Sequence, residues 1–244
     1  MSRCKVNLNH AWIDDDGNFP IADFPIAGSR DNSLAGPDRV TSVYFRDLDK
    51  HLIDHINQAD AVLGCVAWLT NGSILDALSR KSVVSIVVQK EDFLRPDTGN
   101  LKDWKNWLRR KYDSLKCDVD RYSFDNNIIS HLSICSDPTI DPIRCAGNYN
   151  RDRMPAFPRM HNKFMVFAEI VQSFDEEPSL NPYAVWTGSF NLTENSCSSL
   201  ENALFITDPE IVQAYYKEFG QIVAISEELD WETDWMAPQW RIGT

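Results

Sequence analysis

His161-Asn162-Lys163 opens a stretch that alternates as a β-strand does. Residues two apart in an extended chain share a face, so an imidazole and an ammonium point the same way. A second strand ends in Gly188-Ser189-Phe190-Asn191. Glycine there lets the backbone turn tightly beside a ligand, and Ser189 and Asn191 are again two apart. A third strand begins at Glu201-Asn202. Brought together, these positions supply imidazole, ammonium, hydroxyl, amide and carboxylate, a set suited to attack on a phosphodiester. The imidazole is a nucleophile toward phosphorus. The ammonium and amide hold non-bridging oxygens as charge develops. A carboxylate on the other ring nitrogen fixes the tautomer and stabilises the cation. One imidazole beside a lysine makes no metal cage, so neither metal nor cofactor is expected. Ser189 lies in no G-x-S-x-G elbow, which argues against a serine hydrolase.

The elements that must position these groups follow from periodicity. Phe45 to Asp60 places Leu48, Leu52, Ile53 and Ile56 at helical spacing. Ala61 to Trp68 and Ser82 to Gln89 are apolar runs typical of strands buried on both faces. Ser73 to Arg80 and Leu101 to Leu115 are expected as helices. Phe124 and Ile128 to Ile134 are strand candidates, and Asp137 to Pro158, rich in Pro, Arg and Asn, is expected to be a loop. Lys163 to Phe167, Tyr183 to Thr187 and Asn202 to Thr207 are strand candidates. Glu210 to Ile225 is a final helix with Asp208 as N-cap and Pro209 in the first turn. The expected fold class is α/β, with a mixed, mostly parallel central sheet flanked by helices on both faces. A single domain is expected over residues 1–244, with a loop-rich segment 1–40 and an acidic extension 226–244.

The 244 residues are 43% hydrophobic and 25% charged, which excludes a disordered chain, a collagen and a coiled coil. No apolar run approaches the ~20 residues of a membrane span, and Met1 to His10 has no apolar core of a secretory signal. The six cysteines are scattered without a C-x-x-C pair, as expected for reduced thiols in the cytoplasm. Cys117, His131, Cys135 and Cys145 fit no common zinc-finger spacing. The net charge of −12 at first argues against nucleic acid. All of it, however, lies from Ala168 to Thr244, where fourteen Asp/Glu face two Lys/Arg. Arg144, Arg151, Arg153, Arg159 and Lys163 form a basic stretch against Asp152 alone, a candidate channel for a phosphate backbone.

The stretches MHNKFMVF, VWTGSFNLTENS and ENALFI resemble the phospholipase D superfamily, whose signature is H-x-K-x-x-x-x-D followed by G-S/G-x-N. The resemblance is strong from Met160 to Thr207 and is to the single-motif nuclease branch. It implies a phospholipase D-like fold and a phosphohistidine intermediate at His161. Lys163 and Asn191 would bind the phosphate, Ser189 would support them, and Glu201 would orient His161. The family needs two motifs per active site. None of His10, His51, His55 or His131 begins a second one, so the resemblance implies a homodimer whose other histidine is the general acid. The chain departs from the pattern in two places. Ala168 stands where the family has its aspartate, with Glu169 or Asp175 as replacements or the role lost. A polar, acidic insertion, expected as a hairpin loop, spans Gln172 to Pro182.

The expectation is a metal-independent endonuclease acting on DNA, with Arg144, Arg151, Arg153 and Arg159 along the groove. The alternatives are a lipid phosphodiesterase, for which no membrane anchor is visible, and an inactive nucleic-acid-binding module. The acidic tail is expected to be solvated; covering the basic channel is its other reading.

Overall fold

The computed structural model describes residues 31–90, 102–118, 141–147, 158–171 and 179–229. In chain order the elements are β1 (Thr41–Tyr44), α1 (Leu48–Gln58), β2 (Ala61–Val66), α2 (Gly72–Leu78), β3 (Val83–Gln89) and α3 (Lys102–Asp113). There follow β4 (Ile143–Ala146), β5 (Lys163–Val171), β6 (Ser179–Gly188), β7 (Ala203–Ile206), α4 (Pro209–Ala224) and β8 (Glu227–Glu228). All eight strands join one sheet in the order β1-β7-β6-β5-β2-β3-β4-β8.

The sheet is mixed and carries helices on both faces, as expected. Its balance is not mostly parallel: only β2–β3 and β3–β4 run parallel, and the other pairs are antiparallel. The reason is connectivity. A parallel pair needs a long crossover, and among the described elements the consecutive strands that are both joined through a helix and neighbours in the sheet are β2–β3, through α2, and β3–β4, with α3 between them. β5 and β6 form a long hairpin, and β7 returns beside β6 with only a short 3-10 turn at Ser196–Ser198 between them.

β2 is buried along its whole length, the fate of a central strand with neighbours on both edges and helices on both faces. Leu48, Leu52 and Ile56 of α1 join Ile74, Leu75 and Leu78 of α2 and Leu108 and Tyr112 of α3 in one core against the sheet. Val212, Tyr216, Phe219, Ile222 and Val223 of α4 fill the opposite core. Each fully buried aliphatic or aromatic side chain contributes roughly 1.5–3 kcal/mol. α4 starts as expected: the Asp208 carboxylate accepts the Glu210 and Ile211 amides, each at 3.1 Å, and Pro209 occupies the first turn.

Three segments depart from the expectation. The loop expected over 137–158 contains β4, whose four residues become a strand by pairing with Ile86 to Gln89. The insertion after β5 is partly strand: the hairpin pairing continues out to Val171 opposite Ser179; residues 172–178 lie outside the described residues. The acidic extension begins inside the sheet, with Glu227 and Glu228 pairing to Cys145 and Arg144. The strand candidates at Phe124 and Ile128 to Ile134, most of the loop-rich segment 1–40, and residues 230–244 lie outside the described residues.

Candidate active site

The register brings the chemical groups to one end of the sheet. Lys163, the first residue of β5, pairs with Val66, the last residue of β2. Gly188, the last residue of β6, pairs with Ala203, the first of β7. Lys163 alternates with the inward-facing Phe164, so it lies on the α1–α3 side of the sheet, with Met165 and Phe167.

His161 precedes the strand rather than beginning it, yet its ring and Lys163 meet. Lys163 Nζ is 3.4 Å from His161 Nδ1 and donates to the His161 carbonyl at 3.3 Å. Partial burial, then the charges of Lys163 and Arg159, push the imidazole below its ordinary value. Burial also lowers Lys163, against the opposing pull of Glu201.

Gly188 explains why the second half of the motif begins with glycine. A Cβ there would lie 2.2 Å from the Asn202 carbonyl oxygen and 2.8 Å from Ala203 Cα. This close approach lets Ser189 and Asn202 lock together. The Ser189 amide donates to the Asn202 carbonyl at 3.0 Å, and the Asn202 amide donates to Ser189 Oγ at 3.1 Å. The same hydroxyl donates to the Glu201 carboxylate. Asn191 is set by its neighbours. Phe190 and Leu192 are buried in the core on either side of it. Leu192 exchanges backbone hydrogen bonds with Trp68, Thr70 and Asn71 at 2.8–3.1 Å. The Asn191 amide is thereby held with a buried Oδ1 that makes no hydrogen bond.

All five expected catalytic residues thus lie on adjoining strand ends, but Glu201 is engaged differently. Its hydrogen bond goes to Ser189, and it acts on Lys163 through charge rather than gripping the His161 ring. Ala168 is remote from this cluster. It pairs with Ala61, is wholly buried in the α4-side core, and lies five residues along β5 from Lys163, about 16 Å at ~3.3 Å per residue. A β-bulge between Phe167 and Ala168 marks the position, and the Asp60 carboxylate accepts the Ile170 amide there at 3.1 Å. Glu169 is exposed and 3.5 Å from Asn181 Nδ2, so it does not take an aspartate's place beside His161. Asp175 lies outside the described residues.

The expected basic groove divides. Arg159 is half-buried two residues before His161 and contributes charge to its ring. Arg144 is committed elsewhere: Nε donates to Ser226 Oγ at 2.6 Å and Nη2 to the Ser226 carbonyl at 2.9 Å, which ties the end of α4 to β4. Arg151 and Arg153 lie outside the described residues. Among the described residues no three His, Cys, Asp or Glu side chains form a group able to hold a metal ion. Neither Cys117 nor Cys145 is in a disulfide; His131 and Cys135 lie outside the described residues. Among the described residues no helix is long and apolar enough to cross a membrane.

Residues 39–223 match the family described as cardiolipin synthase, PLD-like domain. The chain belongs to the phospholipase D-like family. A protein of Acanthamoeba polyphaga mimivirus named uncharacterized protein L381 is 39% identical over 204 residues, covering 78% of this chain and 67% of its own length. Among solved structures, the phospholipase D family member Nuc from Salmonella typhimurium is 16% identical with a TM-score of 0.45, covering 77% of this chain and 95% of that one. NucT from Helicobacter pylori is 14% identical with a TM-score of 0.46, covering 77% and 98%. His161-Asn162-Lys163 and Gly188-Ser189-Phe190-Asn191, the two halves of the expected motif, are joined by the β5–β6 hairpin. One residue at this site carries no motif signal: Gln89, whose buried side chain reaches the residue before His161. The only hint in sequence is a polar residue closing the apolar run of β3.

Proposed function

We propose that this phospholipase D-like protein is a metal-independent endonuclease that cleaves DNA through a phosphohistidine. The observation that carries the reading is the His161 imidazole beside the Lys163 ammonium, with Ser189, Asn191 and Glu201 on the adjoining strand ends.

Without substrate, Lys163 donates to Nδ1, which leaves the ring proton on Nε2. An entering phosphodiester draws the ammonium to a non-bridging oxygen, and Asn191 takes another. Release of the Lys163 contact frees Nδ1 to carry the ring proton, and Nε2 attacks phosphorus. The P–N bond forms as the P–O bond to the leaving alcohol breaks. His161 of the partner subunit protonates that oxygen and next removes a proton from water, whose attack releases the phosphate and restores His161. Arg159, beside the nucleophile, favours an anionic polymer, with Arg151 and Arg153 on the same stretch of chain.

The family's description names cardiolipin synthase, so phosphatidyl transfer is the second reading. The test is cleavage of plasmid and single-stranded DNA in excess EDTA by wild type and His161→Asn, with phosphatidylglycerol vesicles in parallel. Cutting by wild type alone supports the nuclease. Lipid turnover without DNA cleavage replaces it with the second reading, and DNA binding without any turnover leaves a binding module.

A further inference from the structure

Gln89, the last residue of β3, is 1% exposed although its side chain is an amide. A buried amide is retained only where its hydrogen bonds are met. Oε1 accepts the Met160 amide at 2.7 Å, and Nε2 donates to the Lys90 carbonyl at 3.0 Å. Met160 is itself buried and directly precedes His161. Gly147 makes room for this bond. Its φ is +86°, and a Cβ on it would stand 2.6 Å from Gln89 Oε1 and 2.9 Å from the Met160 nitrogen. Gly147 also bridges to Arg159, so both ends of the basic segment between them close on the Gln89 amide.

The strand end that carries Gln89 is anchored in turn. The Lys90 amide donates to the Ala146 carbonyl at 3.0 Å, and the Lys90 ammonium, 2% exposed, pairs with Glu227 of β8. The buried Lys90 ammonium reaches out to the half-exposed Glu227, so this end of β3 is held from both the backbone and the side chain.

We propose that Gln89 is a positioning residue for His161, its amide fixing the Met160 backbone and so the place of the nucleophile beside Lys163. This rests on the reading of His161 as nucleophile for its catalytic consequence, and on the hydrogen bonds alone for its structural one. A nucleophile displaced by about 1 Å loses roughly a hundredfold in rate. Because Gln89 touches neither substrate nor the reacting atoms, its loss lowers kcat and leaves KM nearly unchanged.

The experiment compares wild type with Gln89→Met, a near-isostere without either hydrogen bond, Gln89→Glu, which keeps the acceptor toward Met160, and Gly147→Ala, which crowds the bond from the other side. Bis(p-nitrophenyl) phosphate hydrolysis reads kcat and KM. NMR reads Met160 amide exchange and the His161 imidazole titration in the same proteins. The expected result for Gln89→Met and Gly147→Ala is about a 10–100-fold fall in kcat with KM within about twofold. Met160 exchange quickens at least about tenfold, as an opened hydrogen bond requires, and His161 titrates nearer its ordinary value. Gln89→Glu restores most of the exchange protection and part of kcat. Unchanged exchange and titration in a folded Gln89→Met protein would overturn the proposal, as would faster exchange with kcat intact. An inactive wild type defeats the nuclease reading alone; the exchange and titration data still decide whether Gln89 positions His161.

Discussion

Lys163 Nζ lies 3.4 Å from His161 Nδ1, so the cation that is to bind phosphate already holds the nucleophile's ring. The Lys163 charge is one of the causes that lower His161. A neighbouring positive charge disfavours the imidazolium and keeps the ring available for attack.

The first prediction concerns pH. His161 is lowered from its ordinary ~6.5, and attack needs the neutral ring. The acidic limb of kcat/KM therefore lies below about pH 6.5, with activity lost as pH falls through it. Lys163→Met removes the cation, so the His161 titration moves up while turnover drops by about a hundredfold or more, as for loss of one oxyanion donor. NMR of the ring and a pH–rate profile check both; a downward move of the titration contradicts the electrostatic account.

Gly188→Ala forces a methyl to within 2.2 Å of the Asn202 carbonyl. Backbone cannot yield as a flexible side chain does, so β6 and β7 separate where Ser189 and Asn202 are locked. The expected cost is about 2–4 kcal/mol, read by urea denaturation, with loss of turnover. A variant as stable as wild type means that the strands part without penalty.

Arg159 and Arg144 have different fates. Arg159→Ala weakens DNA binding and lowers the slope of log K against log salt by about one. Arg144→Ala frees Ser226 and loosens β8 from β4, so thermal stability falls while DNA affinity stays near wild type. Titrations at several salt concentrations separate the two. Equal loss of affinity in both variants returns Arg144 to the groove.

His55 supplies a pH dependence of stability away from the site. It stacks on Phe205 at 3.7 Å between ring centroids and contacts Tyr44 Oη at 3.3 Å. Burial, then the neighbouring His51, pushes it down to about 4. Between about pH 6.5 and 4 the unfolded chain binds a proton that the folded chain refuses. Stability therefore falls as pH drops through that window, by about 2–3 kcal/mol from this group. Urea melts of wild type and His55→Phe at pH 7, 5 and 4 check it: the variant's stability declines less over that range.

The spacing of His161, Lys163, Ser189, Asn191 and Glu201 was sufficient to name the cluster and the family, because the chemistry of a short motif is carried by side-chain type and local period. Buried runs such as Ala61 to Val66 were legible for the same reason: a strand covered on both faces leaves a continuous apolar record. Only tertiary structure decided the rest. Ile143 to Ala146 is a strand because β3 offers it an edge, and no local period in four residues carries that. Arg144 reads as a phosphate contact until the end of α4 is seen to occupy it. Ala168 reads as a lost catalytic group until β5 places it about 16 Å from Lys163 in the opposite core. Gln89, seventy-one positions before Met160, has no pattern linking the two; their hydrogen bond exists because β3 ends beside the segment that enters β5. A motif records what the side chains are, whereas partners distant in sequence are chosen by packing and by the need of every buried polar group for a hydrogen bond.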